Sequence, residues 1–421
     1  MPDSKYRQFV SDMIGGVGWR DLSDGPQNRT EERDVEITGI DCVVVEGNFP
    51  WNLIRVRTDA GVYGLGEAFP GPASEYVEFL EPGLVGQNPL DVDRLVEHMT
   101  QLVSGLGGSL GYSQAAVSGI ETACWDIAGK VTGLPVYQLL GGKYRDEVQI
   151  YADCHAGENL AAAADAEPRD IYTPESYARA AEEVVDEGFD ALKFDLDVKV
   201  EPADTATRRL STDAIQHKVD IVEAVREAIG SEPTLGFDLH WNFSVETATK
   251  IARKVEPYEL DWIEDPVPPE NVDAHRKVTE STSTPILAGE NITRFEGFEP
   301  FLTGQAIDLV APDIQKCGGL LELRKIAALA DAFDIPVAPH NISSPIGTMA
   351  SVHACATVPG AFALEWHARE VEWWDDMHTG DDPVIHDGAV VVPEEPGLGI
   401  DLDYDVVAEH MAPGQEPLEP L

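Results

Sequence analysis

Between residues 148 and 367 the chain repeats one grammar eight times: a short run of apolar and β-branched residues, then a stretch of helical period. The runs are VQIYADCH (148–155), ALKFDLD (191–197), TLGFDLH (234–240), LDWIEDP (260–266), PILAGE (285–290), IDLVAPDI (307–314), PVAPHN (336–341) and FALEWH (362–367). Amphipathic segments such as PESYARAAEEVVDEG, SVETATKIARKV and GLLELRKIAALADAF separate them. Strands alternating with helices build a parallel sheet covered by helices. Every run from the second to the eighth carries a polar or ionisable residue at or next to its last position. An open doubly wound sheet would string those ends out, whereas a closed barrel gathers them at one mouth. The expected fold is therefore α/β, a closed β/α barrel over 148–367.

A barrel of about 250 residues leaves much of a 421-residue chain unused. Residues 35–147 open with VEITGIDCVVVEG and NLIRVRTDAGVYGLGEA, an antiparallel meander with a turn at DAG. Helices are expected over 89–104 and 113–132, the second stopped by Gly133. Residues 1–34 lack apolar periodicity and are expected to be a loosely held arm or an oligomer contact. Residues 368–421 are expected to return over the first unit.

The strand ends carry the chemistry. Asp238, Glu264 and Glu290 close three successive strands, and carboxylates brought to one rim repel unless a cation sits among them. One such residue would be an ordinary helix cap; three in equivalent positions point to a hard ion bound through oxygen, Mg2+ before Ca2+ because open positions remain for substrate and water. Asp313 and His340 end the next two strands, so the carboxylate can fix the imidazole tautomer and make His340 a general base. Lys193 and Asp195 share one face of the second strand. A neighbouring carboxylate raises a lysine pKa, so Lys193 is assigned to steadying negative charge on a substrate carboxylate and Asp195 to a substrate hydroxyl. His240 lies on the Asp238 face within reach of bound substrate, and Glu365 closes the ring. Proton abstraction beside a carboxylate needs this set, because the enediolate it creates is tolerable only against a metal and a lysine already aimed at its oxygens.

Seventy-six acidic against 29 basic residues leave a net charge of −47, which repels nucleic acid and anionic membrane alike. The carboxylates are spread along the chain, as in a protein kept soluble in high salt, so a halophilic source is expected. No run approaches the roughly 18 apolar residues of a membrane span, and the first residues are too polar for a signal peptide, so a cytoplasmic enzyme is expected. Cys42, Cys124, Cys154, Cys317 and Cys355 form no CxxC pair and are expected to be reduced thiols in or near the core. His98, His217, His275, His353 and His410 are expected at the surface, with His155 and His367 as weaker candidates for substrate contact.

The ordered series Lys193, Asp238, Glu264, Glu290, Asp313, His340 and Glu365, the metal-site and dyad residues among them at intervals of 26, 26, 23 and 27, resembles the mandelate racemase-like branch of the enolase superfamily. The resemblance implies a modified TIM-type (β/α)7β barrel under an α+β capping domain built from both chain ends, and a homo-oligomer, dimer or octamer. Gly64, Leu65, Gly66 and Glu67 look like the end of that cap's meander. By resemblance the cap segments GNFPW, with Trp51, and EAFPGPAS (67–74) face the ligand. The family's racemases often carry a KxK motif on the second strand, where this chain has Lys193, Phe194 and Asp195. A missing second lysine base disfavours racemisation. The Asp238 and His240 pair and EDPVPPEN (264–271) resemble the sugar-acid dehydratases of the branch, acting on aldonates such as gluconate, galactonate, xylonate or arabinonate. There His340 would take the proton from carbon 2 and His240 would protonate the departing 3-hydroxyl. A racemase, epimerase or cycloisomerase and a non-catalytic sugar-acid-binding protein are the other readings, and metal-assisted hydrolysis is disfavoured because the trio contains no histidine.

Overall fold

A computed structural model describes residues 35–104, 110–155, 171–198 and 208–418. The expected arm over 1–34 lies outside the described residues. Three strands, β1 (Ile37–Glu46), β2 (Pro50–Thr58) and β3 (Tyr63–Ala68), form the expected antiparallel meander, turning at Gly61 with φ of 71°. Helices α1 (Ala73–Leu84), α2 (Val92–Ser104), α3 (Tyr112–Thr132) and α4 (Val136–Leu139) follow. Sequence reasoning missed α1 because Pro72 precedes it and Pro82 interrupts its pattern. The meander lies on α3 with backbone close to backbone: a Cβ at Gly64 would sit 1.9 Å from the Ala123 carbonyl oxygen and one at Gly66 2.1 Å from that of Gly119. The tail meets the meander where Ala412 N donates to Val44 O at 2.9 Å beside β1.

The barrel runs through β4 (Glu147–Asp153), α5 (Pro174–Asp186), β5 (Ala191–Asp195), α6 (Thr212–Ile229), β6 (Thr234–Asp238), α7 (Val245–Val255), β7 (Trp262–Glu264), α8 (Val272–Thr279), β8 (Ile286–Ala288), α9 (Arg294–Thr303), β9 (Leu309–Val310), α10 (Ile314–Cys317), α11 (Leu320–Ala332), α12 (Pro345–Ala356) and β10 (Leu364–Trp366). Strands β4 to β9 pair in parallel in chain order, and β10 pairs in parallel with β4. The expected seventh strand is reduced to Val337, which bridges Val310 on one side and Ala361 on the other and so closes the ring. Pro336 and Pro339 flank it and supply no N–H to a longer ladder. The tail also contributes β11 (Ala389–Val391), antiparallel to β4, so it covers the barrel as well as the cap. Helix α13 (Tyr404–Glu409) precedes its last contact with the meander.

Strand periodicity organises the barrel interior into layers. Tyr151, Ala191, Trp262, Ala311, Ala338 and Ala363 form a buried apolar cluster. Each stands two residues before Asp153, Lys193, Glu264, Asp313, His340 and Glu365 respectively. The apolar layer is thus the floor on which the ionisable layer rests. Tyr151 and Trp262 meet edge to face at 5.2 Å, and Tyr151 Oη donates to Glu365 Oε2 at 3.2 Å. Water is therefore excluded from beneath the site.

Candidate active site

Strands β6 and β7 and the end of β8 deliver Asp238, Glu264 and Glu290, whose ligand oxygens lie within 4.8 Å of one another. All three side chains are buried, and neither carboxylate oxygen of Glu264 accepts a hydrogen bond, although Lys193 Nζ lies 3.2 Å from Oε2. Buried anionic oxygens left without donors are what a metal-ligand set requires, and an all-oxygen set suits a hard divalent cation. Burial pushes the Glu264 carboxyl well above the usual range, with Asp238, Glu365 and Glu290 adding to it against the pull of Lys193. Glu290 goes the other way: against burial, His340 and Lys316 hold it down to about 2.

His340 Nδ1 lies 2.7 Å from Asp313 Oδ2, the contact expected from the two strand ends. Asp313 Oδ1 also accepts from Gln315 N at 2.6 Å, so the carboxylate is held at both oxygens. The Nε2 atom of His340 faces Glu290 Oε2 at 3.2 Å. Burial lowers the His340 pKa, but Glu290, Glu365 and Asp313 outweigh it and raise it to about 8.

On the other flank of the trio, His240 and Trp241 both hold left-handed φ values, 40° and 51°, a strained turn that leaves His240 Nε2 3.7 Å from Asp238 and 3.9 Å from Asp195. His240 Nδ1 contacts Asp197 Oδ1 at 3.1 Å. Asp197 is a second orienting carboxylate that sequence reasoning missed, although it stands two residues beyond Asp195. Against burial, Asp238, Asp197 and Asp195 raise the His240 pKa to about 12. The two histidines therefore each have a private carboxylate.

Lys193, 2% exposed, sits at the centre among four carboxylates: Glu365 at 2.6 Å, Asp238 at 3.1 Å, Glu264 at 3.2 Å and Asp153 at 3.3 Å. Burial would lower its pKa, but Glu264, Glu365, Asp238 and Asp153 raise it well above the ordinary lysine value. A lysine so held stays charged and cannot serve as a base at neutral pH. Asp153 was another residue missed from sequence, because attention there fell on the strand-terminal His155.

Asp153 also groups with His155 and His367. Asn48 Nδ2 donates to the His367 carbonyl at 2.6 Å and faces His367 Nδ1 at 3.4 Å. With Nδ1 accepting, the Nε2 atom of His367 carries its proton, 3.5 Å from Asp153. His155 Nδ1 also faces Asp153, at 3.7 Å, and the His155 backbone N–H donates to Asp153 Oδ1 at 2.8 Å.

Trp51 does not meet the expectation of substrate contact. Its ring is fully buried, and Nε1 donates to the Ile342 carbonyl at 2.9 Å. Its neighbours Asn48 and Phe49 reach the barrel mouth instead, Phe49 meeting the His367 ring at 5.2 Å, while Phe69 of the second cap segment lies 6.5 Å from the His340 ring. His275 and His353 are likewise buried, not superficial, His275 on the inward face of α8 and His353 in α12, which is buried along its whole length.

An acid–base constellation of this kind, inside a capped barrel, defines an enzyme. Residues 44–141 match the mandelate racemase / muconate lactonizing enzyme, N-terminal domain family, and residues 176–406 match the enolase C-terminal domain-like family. The chain belongs to the mandelate racemase/muconate lactonizing enzyme group of the enolase superfamily. It is 48% identical over 413 residues to a D-xylonate dehydratase from Haloferax volcanii, with 96% of this chain and 97% of that protein covered. It is 30% identical to a D-gluconate dehydratase from Thermoproteus tenax, covering 87% of this chain and 72% of the relative. A crystal structure of a mandelate racemase/muconate lactonizing enzyme-like protein from Rubrobacter xylanophilus superposes with a TM-score of 0.84 at 40% identity, covering 91% of this chain and 98% of that one.

Proposed function

We propose that this enzyme removes water from a sugar acid, with D-xylonate as the first candidate, and releases the 2-keto-3-deoxy acid. The observation that carries the reading is the pair of histidines, His340 held by Asp313 and His240 held by Asp197, flanking one trio of carboxylates. Two separately oriented imidazoles suit a reaction with one proton to remove and one to deliver. Asp195 occupies the place where a second lysine base would serve a racemase. The D-xylonate dehydratase similarity supports the choice of substrate.

In this mechanism the carboxylates Asp238, Glu264 and Glu290 would hold Mg2+, which supplies Lewis-acid stabilisation of negative charge on the substrate carboxylate. Lys193 adds a fixed positive charge beside it, kept protonated by its four carboxylates. His340, in its neutral form, takes the proton from carbon 2 at Nε2, and Asp313 steadies the imidazolium that results. His240, charged under the pull of Asp238, Asp197 and Asp195, gives its proton to the leaving 3-hydroxyl as the carbon–oxygen bond breaks. The enol product then tautomerises to the ketone. A cytoplasmic setting fits five unpaired cysteines.

A panel of aldonates assayed with Mg2+ in molar KCl, with semicarbazide detection of 2-keto-3-deoxy acids, tests the reaction. An isomer formed without loss of water would replace dehydration with epimerisation; silence toward every aldonate would sink the catalytic reading. In D2O, His340→Asn is expected to lose both elimination and exchange at carbon 2. His240→Asn is expected to stop elimination while exchange persists. Continued exchange by His340→Asn would remove His340 from the role of base.

A further inference from the structure

Two buried glutamates of the cap terminate helices of the barrel. Glu67, in β3, accepts from Ser344 N at 3.1 Å through Oε1 and from Ser344 Oγ at 2.5 Å and Gly347 N at 3.1 Å through Oε2. Those donors open α12, which begins five residues after His340. Glu121, in α3, accepts from Leu320 N at 2.9 Å through Oε2 and from Leu321 N at 3.0 Å through Oε1. Those donors open α11, which begins seven residues after Asp313. Ser118, one turn before Glu121, accepts through Oγ from Gly318 N at 3.0 Å.

The barrel sequence is shaped to receive these carboxylates. The residue before α11 is Gly319, at φ of 95°, and a Cβ there would lie 2.1 Å from Glu121 Oε2. Gly319 has no side chain with which to cap its own helix, so the free N–H groups are satisfied from the cap. Burial pushes both glutamates up to about 7 against the pull of these N–H donors. A buried acid is a costly helix cap, and here two of them serve the helices that follow the two strands carrying the dyad.

We propose that Glu67 and Glu121 are positioning residues of the proton-transfer dyad, through which the cap fixes the two backbone segments that bring Asp313 to His340 Nδ1. The inference rests on His340 being the group that takes the proton. Between the dyad and the anchored helices lie only the four residues 341–344 after His340, and the short α10 with Gly318 and Gly319 after Asp313. A shift of either helix start is therefore passed to the 2.7 Å contact between His340 and Asp313.

The test uses the full-length enzyme with Mg2+ and the variants Glu67→Gln and Glu121→Gln, in which an amide N–H2 replaces one accepting oxygen. For D-xylonate, kcat is expected to fall about 10- to 100-fold with KM changed less than about 3-fold, the size of effect that follows sub-ångström misplacement of a base. The low-field proton resonance of the His340–Asp313 hydrogen bond, identified by its disappearance in His340→Asn, is expected to shift or broaden. A variant with lowered Tm but unchanged resonance and kcat would reduce these glutamates to structural links and overturn the proposal. Ser118→Ala, which removes only the Gly318 contact, covers the case where a glutamine variant does not fold: a smaller change in both readouts supports the proposal, and none overturns it. If the wild type does not dehydrate D-xylonate while the resonance moves in the variants, the substrate is wrong and the positioning role stands.

Discussion

Lys193 Nζ lies 2.6 Å from Glu365 Oε1, on the apolar floor of the barrel, with three further carboxylates within 3.3 Å. One ammonium group cannot neutralise four carboxylates in a buried site. The centre is built with an excess of negative charge, which makes it a receptacle for further positive charge and explains why lysine, not arginine or histidine, serves here: a compact charge fits among four acids.

Lys193→Met removes that charge and leaves the four carboxylates facing one another. Breaking a buried ion pair from one side costs about 3–5 kcal/mol. Denaturant unfolding in EDTA is expected to show a loss of that order, and millimolar Mg2+ is expected to restore part of it. Wild-type stability in the metal-free variant would mean that these acids are protonated and that Lys193 does not hold them together.

Glu264→Gln separates a metal ligand from a structural acid. Because burial and neighbouring acids raise the Glu264 pKa against the pull of Lys193, 3.2 Å away, an amide that keeps an oxygen toward that ammonium should leave metal-free stability within about 1 kcal/mol of wild type. The rise in Tm produced by Mg2+ should disappear. A large loss of stability without metal, or a retained Mg2+ response, would contradict the assignment.

Asp197→Asn tests the second dyad. The variant keeps a polar group beside His240 Nδ1 and removes its charge. Elimination is expected to fall about 10- to 100-fold, while deuterium exchange at carbon 2 continues near the wild-type rate. Equal losses of both would place His240 upstream of proton abstraction.

The net charge of −47 carries its own expectation. Salt screens surface repulsion over distances of a few ångströms, so Tm should climb steadily between about 0.1 M and about 2 M KCl. A flat profile would mean that the acidic surface is not an adaptation to salt.

The barrel was legible because successive strand ends carried an ionisable side chain: Asp238, Glu264, Glu290, Asp313 and His340 each stand at or just beyond the end of a strand or bridge. What escaped were residues whose role depends on a partner far along the chain. Asp197 takes its meaning from His240, and Asp153 from Lys193, distances of 43 and 40 residues that no local pattern encodes. Trp51 was misassigned because a loop sequence does not say which of its side chains points inward; the aromatic ring of Phe49, two residues earlier, reaches the mouth. The seventh strand was recognised by composition, yet its prolines left it as a single bridge. His275 and His353 looked superficial because both sit in helices; His275 lies on the face of α8 turned to the core, and α12, which carries His353, is buried on every face.

His353 gives the acid limb of stability a structural origin. The Tyr137 backbone N–H donates to His353 Nδ1 at 3.1 Å, so Nδ1 is an acceptor, and Nε2, 3.1 Å from the Leu398 carbonyl, carries the proton. Protonating the ring would set a second N–H against Tyr137 N–H inside the core. Burial accordingly lowers its pKa to about 4, as it does for His275. A folded-state pKa below the unfolded value near 6.5 means that the unfolded chain binds the proton first as pH falls. The contribution is whole above pH 6.5 and lost as pH falls through about 4, amounting to at most about 3 kcal/mol for each histidine. His353→Gln should lower stability at pH 7, because the amide cannot span from Tyr137 to Leu398, and should make the fall between pH 6.5 and pH 4 shallower. Denaturant midpoints across that window, compared between wild type and variant at one salt concentration, measure both effects. An unchanged acid slope would remove His353 from the set of groups that drive acid unfolding.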